Sequence, residues 1–304
     1  DIRTMFYIGG NDSMDTVTSL SEYATEHNIE GIQFVGCPKT VDNDLRIIDH
    51  CPGFASAAKV LATTQLQTWL DYNVYTREEV FILETMGRDA GWLAASTCVT
   101  GKVDLLVLPE EVFDKDLFFD QVREIIAEKN KCYIVISEGV RYADGTYLSA
   151  GKSKDDTFGH AILGGAGQAL KEMLIEEGVT SRAKVQDMST LQRSYAAQQS
   201  KVDVEESFRL GMSAHMHSMD PSFTGKMVAL RRVEGDVYDI EFFAVDSKEI
   251  ANHVKGFPLE WALPNYRGVT QEALDYFVPL LQGQPHIYYD DNGTPRHVKP
   301  YYLR

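Results

Sequence analysis

Ile32-Gln33-Phe34-Val35-Gly36 runs directly into Cys37-Pro38-Lys39-Thr40-Val41-Asp42-Asn43-Asp44. The first part is a short apolar run with β-branched and aromatic residues, closed by glycine, and it reads as a buried strand. The second part is polar and turn-forming, and a long helical pattern over Phe54–Tyr72 follows it. The same succession occurs upstream, where Met5–Ile8 leads through Gly9-Gly10-Asn11-Asp12-Ser13 into a helical pattern over Met14–His27. Further candidate strands fall at Val80–Glu84, Leu105–Leu108, Tyr133–Ser137 and Met227–Arg231. Helical patterns lie between and after them, at Ala90–Val99, Leu117–Lys129, Ile162–Glu177 and Val204–Met219. Strands and helices alternating at these spacings predict crossover units and a largely parallel sheet, an α/β fold. Lys152–Thr157 is the best loop candidate. From Asp236 on, the mixed polar and aromatic pattern predicts a β-rich and loop-rich closing portion with one helix near Gln271–Leu281.

A chain of 304 residues exceeds what one hydrophobic core usually supports, so two domains are expected, interleaved or consecutive. With 44% hydrophobic and 24% charged residues the composition is that of a globular protein, which excludes disordered, collagen-like and fibrous classes. No apolar run approaches the length of a membrane span. The first residues, Asp1-Ile2-Arg3-Thr4, lead straight into a strand-like run without a signal peptide or initiator Met, and the expectation is a chain read from its middle. The net charge of −16 repels phosphate backbones and anionic lipid, so neither nucleic acid nor membrane is an expected partner. An anionic substrate would then need a local basic cluster strong enough to overcome the global field. Cys37, Cys51, Cys98 and Cys132 are scattered without metal or redox spacing, and read as small buried hydrophobes in a reducing, cytoplasmic setting.

Five polar constellations sit at predicted strand ends, where an open parallel sheet presents its ligand edge. Gly9-Gly10-Asn11-Asp12-Ser13 lets backbone approach an anion at a helix N-terminus, although Asp12 or Ser13 serves equally well as an ordinary cap. Lys39, Thr40, Asp42 and Asp44 combine cation, hydroxyl and paired carboxylates, a set that can bind a metal, take a proton and neutralise a phosphoryl group. The bland alternative is a solvated Asx-rich turn. Met86-Gly87-Arg88 places a guanidinium at a helix start, suited to a phosphate or simply paired with Asp89. Glu138 in Ser137-Glu138-Gly139 can accept bonds from sugar hydroxyls, and Arg182, Lys184 and Arg193 add cations to an acidic chain.

Taken in order, these stretches resemble one family. Pro38-Lys39-Thr40-Val41-Asp42-Asn43-Asp44, Met86-Gly87-Arg88-Asp89-Ala90-Gly91-Trp92-Leu93-Ala94, Ser137-Glu138-Gly139, Leu191-Gln192-Arg193, Asp203-Val204-Glu205-Glu206 and Thr224-Gly225-Lys226-Met227-Val228 match the phosphofructokinases, and among them the pyrophosphate-dependent branch. The resemblance covers nearly the whole chain. It implies two Rossmann-like domains with the active site in the cleft between them. One would hold the phosphoryl donor (residues 1–52 and 192–245), the other the sugar phosphate (53–191), with 246–304 packing back. It also implies reversible, Mg²⁺-dependent transfer from pyrophosphate to fructose 6-phosphate in a cytoplasmic homodimer or homotetramer.

By the same resemblance Asp42 is the base for the 1-hydroxyl, Asp44 assists it or the metal, and Thr40 contacts the phosphate being formed. Met86, Gly87 and Arg88 would bind the sugar phosphate, Glu138 its hydroxyls, and Thr190 and Arg193 the 6-phosphate end, joined by Lys184 from a neighbouring subunit or by Arg182. Gly9, Gly10, Asn11, Asp12, Ser13 and Lys39 would meet the donor, with Asn11 standing where many relatives carry a metal-associated Asp. ATP-using relatives have Gly where Asp12 and Lys39 stand here. A carboxylate at Asp12 would repel a nucleotide's α-phosphate, and Lys39 can stabilise a pyrophosphate leaving group. The rival readings are an ATP-dependent enzyme in which Asp12 is neutral, and a non-catalytic regulatory subunit. The smaller Thr190 also leaves room for a longer sugar phosphate. The family's Gly-Gly-x-x-Pro-Gly-x-Asn segment is absent from these residues, and the expectation is that the chain is the carboxy-terminal part of a longer subunit.

Overall fold

The computed structural model describes residues 2–149 and 165–296. The predicted loop Lys152–Thr157 and the first residues of the predicted helix Ile162–Glu177 lie outside the described residues. The first half of the chain runs β1 (Thr4–Gly9), α1 (Asn11–Glu26), β2 (Gln33–Pro38), α2 (Phe54–Asn73), β3 (Glu79–Thr85), α3 (Trp92–Ser96), β4 (Leu105–Val107), α4 (Lys115–Lys129) and β5 (Lys131–Ser137). Then come α5 (Ala166–Glu176), β6 (Ala183–Asp187), α6 (Lys201–His217), β7 (Lys226–Arg232), β8 (Ile240–Asp246) and α7 (Gln271–Leu280).

The strands form two four-stranded sheets, ordered β1-β2-β7-β8 and β4-β5-β3-β6. Every pairing is parallel except β7 with β8. β3 and β5 are buried along their whole length, as central parallel strands covered on both faces must be. Their side chains alternate: Leu83, Tyr133 and Val135 join the core under α2, α3 and α7, while Val80, Ile82, Ile134 and Ile136 join the one under α4 and α5. A third core packs Met14, Val35 and Met227 against Leu210 and Ala214 of α6. Met14 reaches β2 closely because position 36 is glycine; a Cβ there would stand 2.6 Å from the Met14 sulfur.

Two strands differ from expectation. Ala183–Asp187, noted above only for its Lys184, forms the half-exposed edge strand β6, whose only strong strand former is Val185. Ile240–Asp246 forms the antiparallel edge β8. The predicted helix Ala90–Val99 narrows to the five residues of α3 followed by a 3₁₀ turn over Thr97–Thr100. The closing portion holds β8 and otherwise short 3₁₀ turns and α7. It covers α2 and α3 with aromatic rings, Phe277 standing 6.2 Å from Phe54 and Phe257 5.3 Å from Trp92.

Candidate active site

The carboxyl ends of β1 and β2 lie side by side, in register from Thr4 opposite Gln33 to Gly9 opposite Pro38. The Lys39 N–H extends the ladder by donating to the Gly9 carbonyl at 2.9 Å. The turn Gly10–Ser13 and the turn beginning at Lys39 therefore share one edge. Gly9 is required there by packing, since a Cβ would stand 1.9 Å from Ser13 Oγ, whereas one on Gly10 would meet only the Lys39 carbonyl at 3.5 Å. Asp12 lies exposed in the first turn of α1, and Lys39 is exposed beside it. Asn11 turns elsewhere: its amide donates to the His253 carbonyl at 2.6 Å and accepts from the Asn252 N–H.

Between β2 and α2 the chain makes a closed loop, with Thr40 N–H bonded to the Pro52 carbonyl at 3.3 Å. The far end is pinned by the Asp203 carboxylate, which accepts from Gly53 N at 2.8 Å and Ser56 N at 3.2 Å. The Thr40 hydroxyl accepts from Asp42 N at 3.1 Å. Asn43, fully buried and left-handed at φ 58°, separates Asp42 from Asp44. Its amide donates to the Tyr276 hydroxyl at 3.0 Å and accepts from Cys51 N at 2.9 Å.

The other half comes from the second sheet. β3 and β5 end in register at Thr85 and Ser137, so Met86-Gly87-Arg88 and Glu138 leave the same edge. Gly87 has φ 126°, a conformation natural only to glycine. Its N–H donates to Glu138 Oε1 at 3.2 Å and its carbonyl accepts from Ser137 Oγ at 2.6 Å. Gly139 lets this turn close, because a Cβ there would lie 1.8 Å from the Arg88 carbonyl oxygen. The Met86 N–H is bound by the buried Gln192 side chain at 3.2 Å. Gln192 belongs to the short turn Ser189–Arg193, so that bond ties the Arg193 segment to the end of β3. A cleft of about 170 Å³ between Val41, Gly53, Ser56, Gln192, Arg193 and Asp203 marks the join.

Electrostatics identify what converges here. Burial pushes the Asp42 carboxyl up to about 6, the neighbouring Asp44 adds to the rise, and Lys39, Arg88 and Arg193 pull against it. Asp42 Oδ1 is buried and finds no hydrogen-bond partner among the described residues, and the same holds for Arg88 Nε. Glu138 is pushed up to about 7 by burial, against the bond from Gly87, with Asp42 and Glu84 adding to the rise. Asp44 is raised by burial, with its own backbone, Lys255 and Thr40 opposing. The desolvated Asp42 carboxyl thus lies within electrostatic reach of Asp44, Glu138 and three cations, an arrangement that can take a proton and hold a transferring phosphoryl group.

Asp42, Asp44, Lys39, Arg88, Arg193 and Glu138 are therefore brought together, and Asp12 with Gly10 flanks them across β1. Thr190 is exposed on the Arg193 turn, where its carbonyl accepts from Ser194 Oγ at 2.8 Å. Lys184 is not brought in. It pairs with Phe81 near the start of β3 and stands 3.8 Å from Glu79, at the opposite end of the sheet from Arg88. Asp203 and Gln192 fell within stretches noted in the sequence without a role, while Lys255 carried no sequence signal at all. Two larger cavities border α6. One of about 480 Å³ runs from Lys39 past Pro52 to Val204, and one of about 590 Å³ by Phe208 and Tyr238 contains none of the site residues.

Residues 1–217 match the family model for phosphofructokinase. The pyrophosphate–fructose 6-phosphate 1-phosphotransferase of Halomonas elongata is 36% identical over 307 residues, spanning 98% of this chain and 72% of that protein. The enzyme of the same name from Xanthomonas campestris pv. campestris is 34% identical over 306 residues, with the same two shares. Among solved structures, the pyrophosphate-dependent phosphofructokinase of Marinobacter aquaeolei superposes with a TM-score of 0.85 at 32% identity, covering 97% of this chain and 71% of that one.

Proposed function

The chain belongs to the phosphofructokinase family, and from that premise we propose that it transfers a phosphoryl group reversibly from pyrophosphate to the 1-hydroxyl of fructose 6-phosphate. The products are fructose 1,6-bisphosphate and phosphate. The observation that carries the reading is Asp42, a half-buried carboxylate with one buried, unpartnered oxygen set among Lys39, Arg88 and Arg193. A base raised to about 6 is ionised at neutral pH yet remains basic enough to take the hydroxyl proton as the oxygen attacks. The new O1–phosphorus bond forms as the bridging oxygen–phosphorus bond of pyrophosphate breaks. Lys39, next to the donor turn, stabilises the departing phosphate, and Arg88 the group in transit.

Arg193 with Thr190 receives the 6-phosphate, and Glu138 and the Met86–Gly87 backbone hold the sugar. Lys184, turned away from its own site, reaches the 6-phosphate of a second copy, in keeping with a homodimer or homotetramer. Residues 1–52 with 192–245 form the donor side and 53–191 the sugar side. Gly9, Gly10 and Ser13 shape the donor edge, and Asp12 bars a nucleotide: an anion approaching the amino end of α1 meets its carboxylate first.

Magnesium suits this donor set, since it is held typically by one or two carboxylates together with substrate phosphates and water. Asp44 meets that need together with the substrate phosphates, which leaves the unpartnered oxygen of Asp42 to take the proton, while the Asn11 amide is already occupied by the 252–253 backbone. Bound there, the ion would neutralise charge on the phosphoryl oxygens. The free cysteines accord with a cytoplasmic setting, and no helix among the described residues is long and apolar enough to cross a membrane. The test is fructose 1,6-bisphosphate formation with pyrophosphate or ATP as donor at fixed Mg²⁺. Turnover with pyrophosphate is expected. Turnover with ATP alone would overturn the donor assignment, and turnover with neither would overturn the reaction.

A further inference from the structure

Behind the Asp42 loop lies a charged cluster with no part in the chemistry above. His50 is 2% exposed and both its ring nitrogens face carboxylates, Nδ1 at 2.7 Å from Asp49 and Nε2 at 2.6 Å from Glu206. A neutral imidazole has only one N–H, so two charge-assisted bonds require the doubly protonated ring. The surroundings are set to hold that charge. From β7, Arg232 Nε donates to Asp49 at 3.1 Å, and from the turn before β8 the Tyr238 hydroxyl donates to the other oxygen of Glu206 at 2.8 Å. From the closing segment, the half-buried Lys255 ammonium donates to the Ile48 and Asp49 carbonyls at 2.9 and 2.8 Å. From α7, the Tyr276 hydroxyl donates to the same Asp49 carbonyl at 2.8 Å. On α6, one turn from Glu206, Asp203 holds the end of the loop.

The path from this cluster to the reacting edge is short in bonds. His50 fixes Asp49; Tyr276 and Lys255 bind the Asp49 carbonyl; both also touch Asn43, at 3.0 and 3.4 Å. Asn43 is the left-handed residue that sets Asp42 and Asp44 apart. The Lys255 N–H also donates to the Asp44 carbonyl at 2.7 Å.

We propose that His50, as an imidazolium bridging Asp49 and Glu206, is a positioning residue that holds the Asp42 loop in its reactive geometry and gives the reaction an alkaline limit. This rests on Asp42 being the base. Burial alone would discharge the ring, but its bonds to Asp49 and Glu206 and their charges outweigh that and raise its pKa above the ordinary 6.5. The bridge is therefore complete below 6.5 and lost only as pH climbs through the raised value.

Three readouts test it. Nitrogen NMR of histidine-labelled protein, with His50→Gln for assignment, should show both ring nitrogens of His50 protonated at pH 7; a neutral tautomer would overturn the proposal. Glu206→Gln keeps an acceptor but removes a charge, and should move the alkaline fall in kcat to lower pH while leaving the KM for fructose 6-phosphate within about twofold. His50→Gln should lower kcat about 10- to 100-fold at unchanged KM, the cost of a misplaced base. An unmoved alkaline limb in Glu206→Gln, or full kcat in His50→Gln, sinks the idea. If the unaltered protein turns over neither donor, amide hydrogen exchange of Asn43 and Asp44 decides instead: it must quicken in His50→Gln, and unchanged protection would overturn the positioning role.

Discussion

Replacing Asp42 by Asn removes the proton acceptor while keeping its shape. In this site it also removes one desolvated negative charge from among Lys39, Arg88 and Arg193. The first effect should lower kcat by about 10²–10⁴-fold, the usual contribution of a positioned base. The second should leave the KM for fructose 6-phosphate unchanged or lower, because those cations no longer share their field with a carboxylate before the sugar phosphate arrives. The same group sets the acid side of the pH profile. With Asp42 near 6, kcat/KM for pyrophosphate-dependent turnover should fall about tenfold per unit once pH drops below that value. Glu138, near 7, adds an earlier break that Glu138→Gln removes, while the lower one moves slightly down because the two carboxylates no longer repel. The assay is initial rate in both directions at saturating Mg²⁺, from pH 5 to 9, with fructose 1,6-bisphosphate read by coupled aldolase. Retention of more than about a tenth of kcat in Asp42→Asn would refute the base assignment. So would a flat kcat/KM between pH 7.5 and 5 in the unaltered protein.

Asp12→Gly should confer measurable ATP use, and Lys39→Gly should lower kcat with pyrophosphate about 10²-fold by removing the cation beside the leaving group; a double variant still blind to ATP would refute exclusion by Asp12. Gly139→Ala places a Cβ 1.8 Å from the Arg88 carbonyl, so denaturant unfolding should show a loss of about 1–3 kcal/mol or more, and sugar-phosphate binding should weaken with it. Native-like stability and KM there would show that the Arg88 turn is not fixed by that approach. Lys184→Ala should raise the KM for fructose 6-phosphate without changing that for pyrophosphate, and an unchanged value would remove the second copy from the sugar site.

How much of this was legible in the sequence depends on distance along the chain. The strands β1, β2, β3, β4, β5 and β7 could be read because each is an apolar run ended by a turn residue or a polar cluster within a few positions, which is local information. The proposed reacting groups were legible for the same reason: a parallel sheet carries its ligands at the carboxyl ends of strands, and Asp42, Arg88 and Glu138 each follow such an end. What holds them was not legible, because each support is long-range. Asp203 binds Gly53 across 150 positions and Lys255 binds Ile48 across 207, and nothing near Lys255 distinguishes it from a surface lysine. Asn11 shows the converse. Its place after Gly9-Gly10 suggests a donor or metal contact, yet a chain segment 241 positions away takes its amide.

The acidity of the chain makes the supports matter more than they would in a neutral protein. A net charge of −16 works against binding two phosphorylated substrates, so the opening must be locally positive. Lys39, Arg88 and Arg193 supply that charge, but a base placed among cations would ordinarily be too weak to take a hydroxyl proton. Burial resolves the conflict, lifting Asp42 to about 6 despite all three. Burial of a carboxylate oxygen without a partner is costly, and a loose loop would relieve that cost by turning the group out to water. Here the backbone that follows Asp42 is fixed by Asn43, Lys255 and, through Asp49, by His50. The strength of the base and the rigidity of its loop are thus one property of the fold. Lys255→Met, which keeps the bulk of the side chain but leaves the Ile48 and Asp49 carbonyls without their ammonium partner, should therefore lower both stability and kcat. The destabilisation should be about 1.5–3 kcal/mol by denaturant unfolding. A variant that lost stability but kept full kcat would show that the two can be separated.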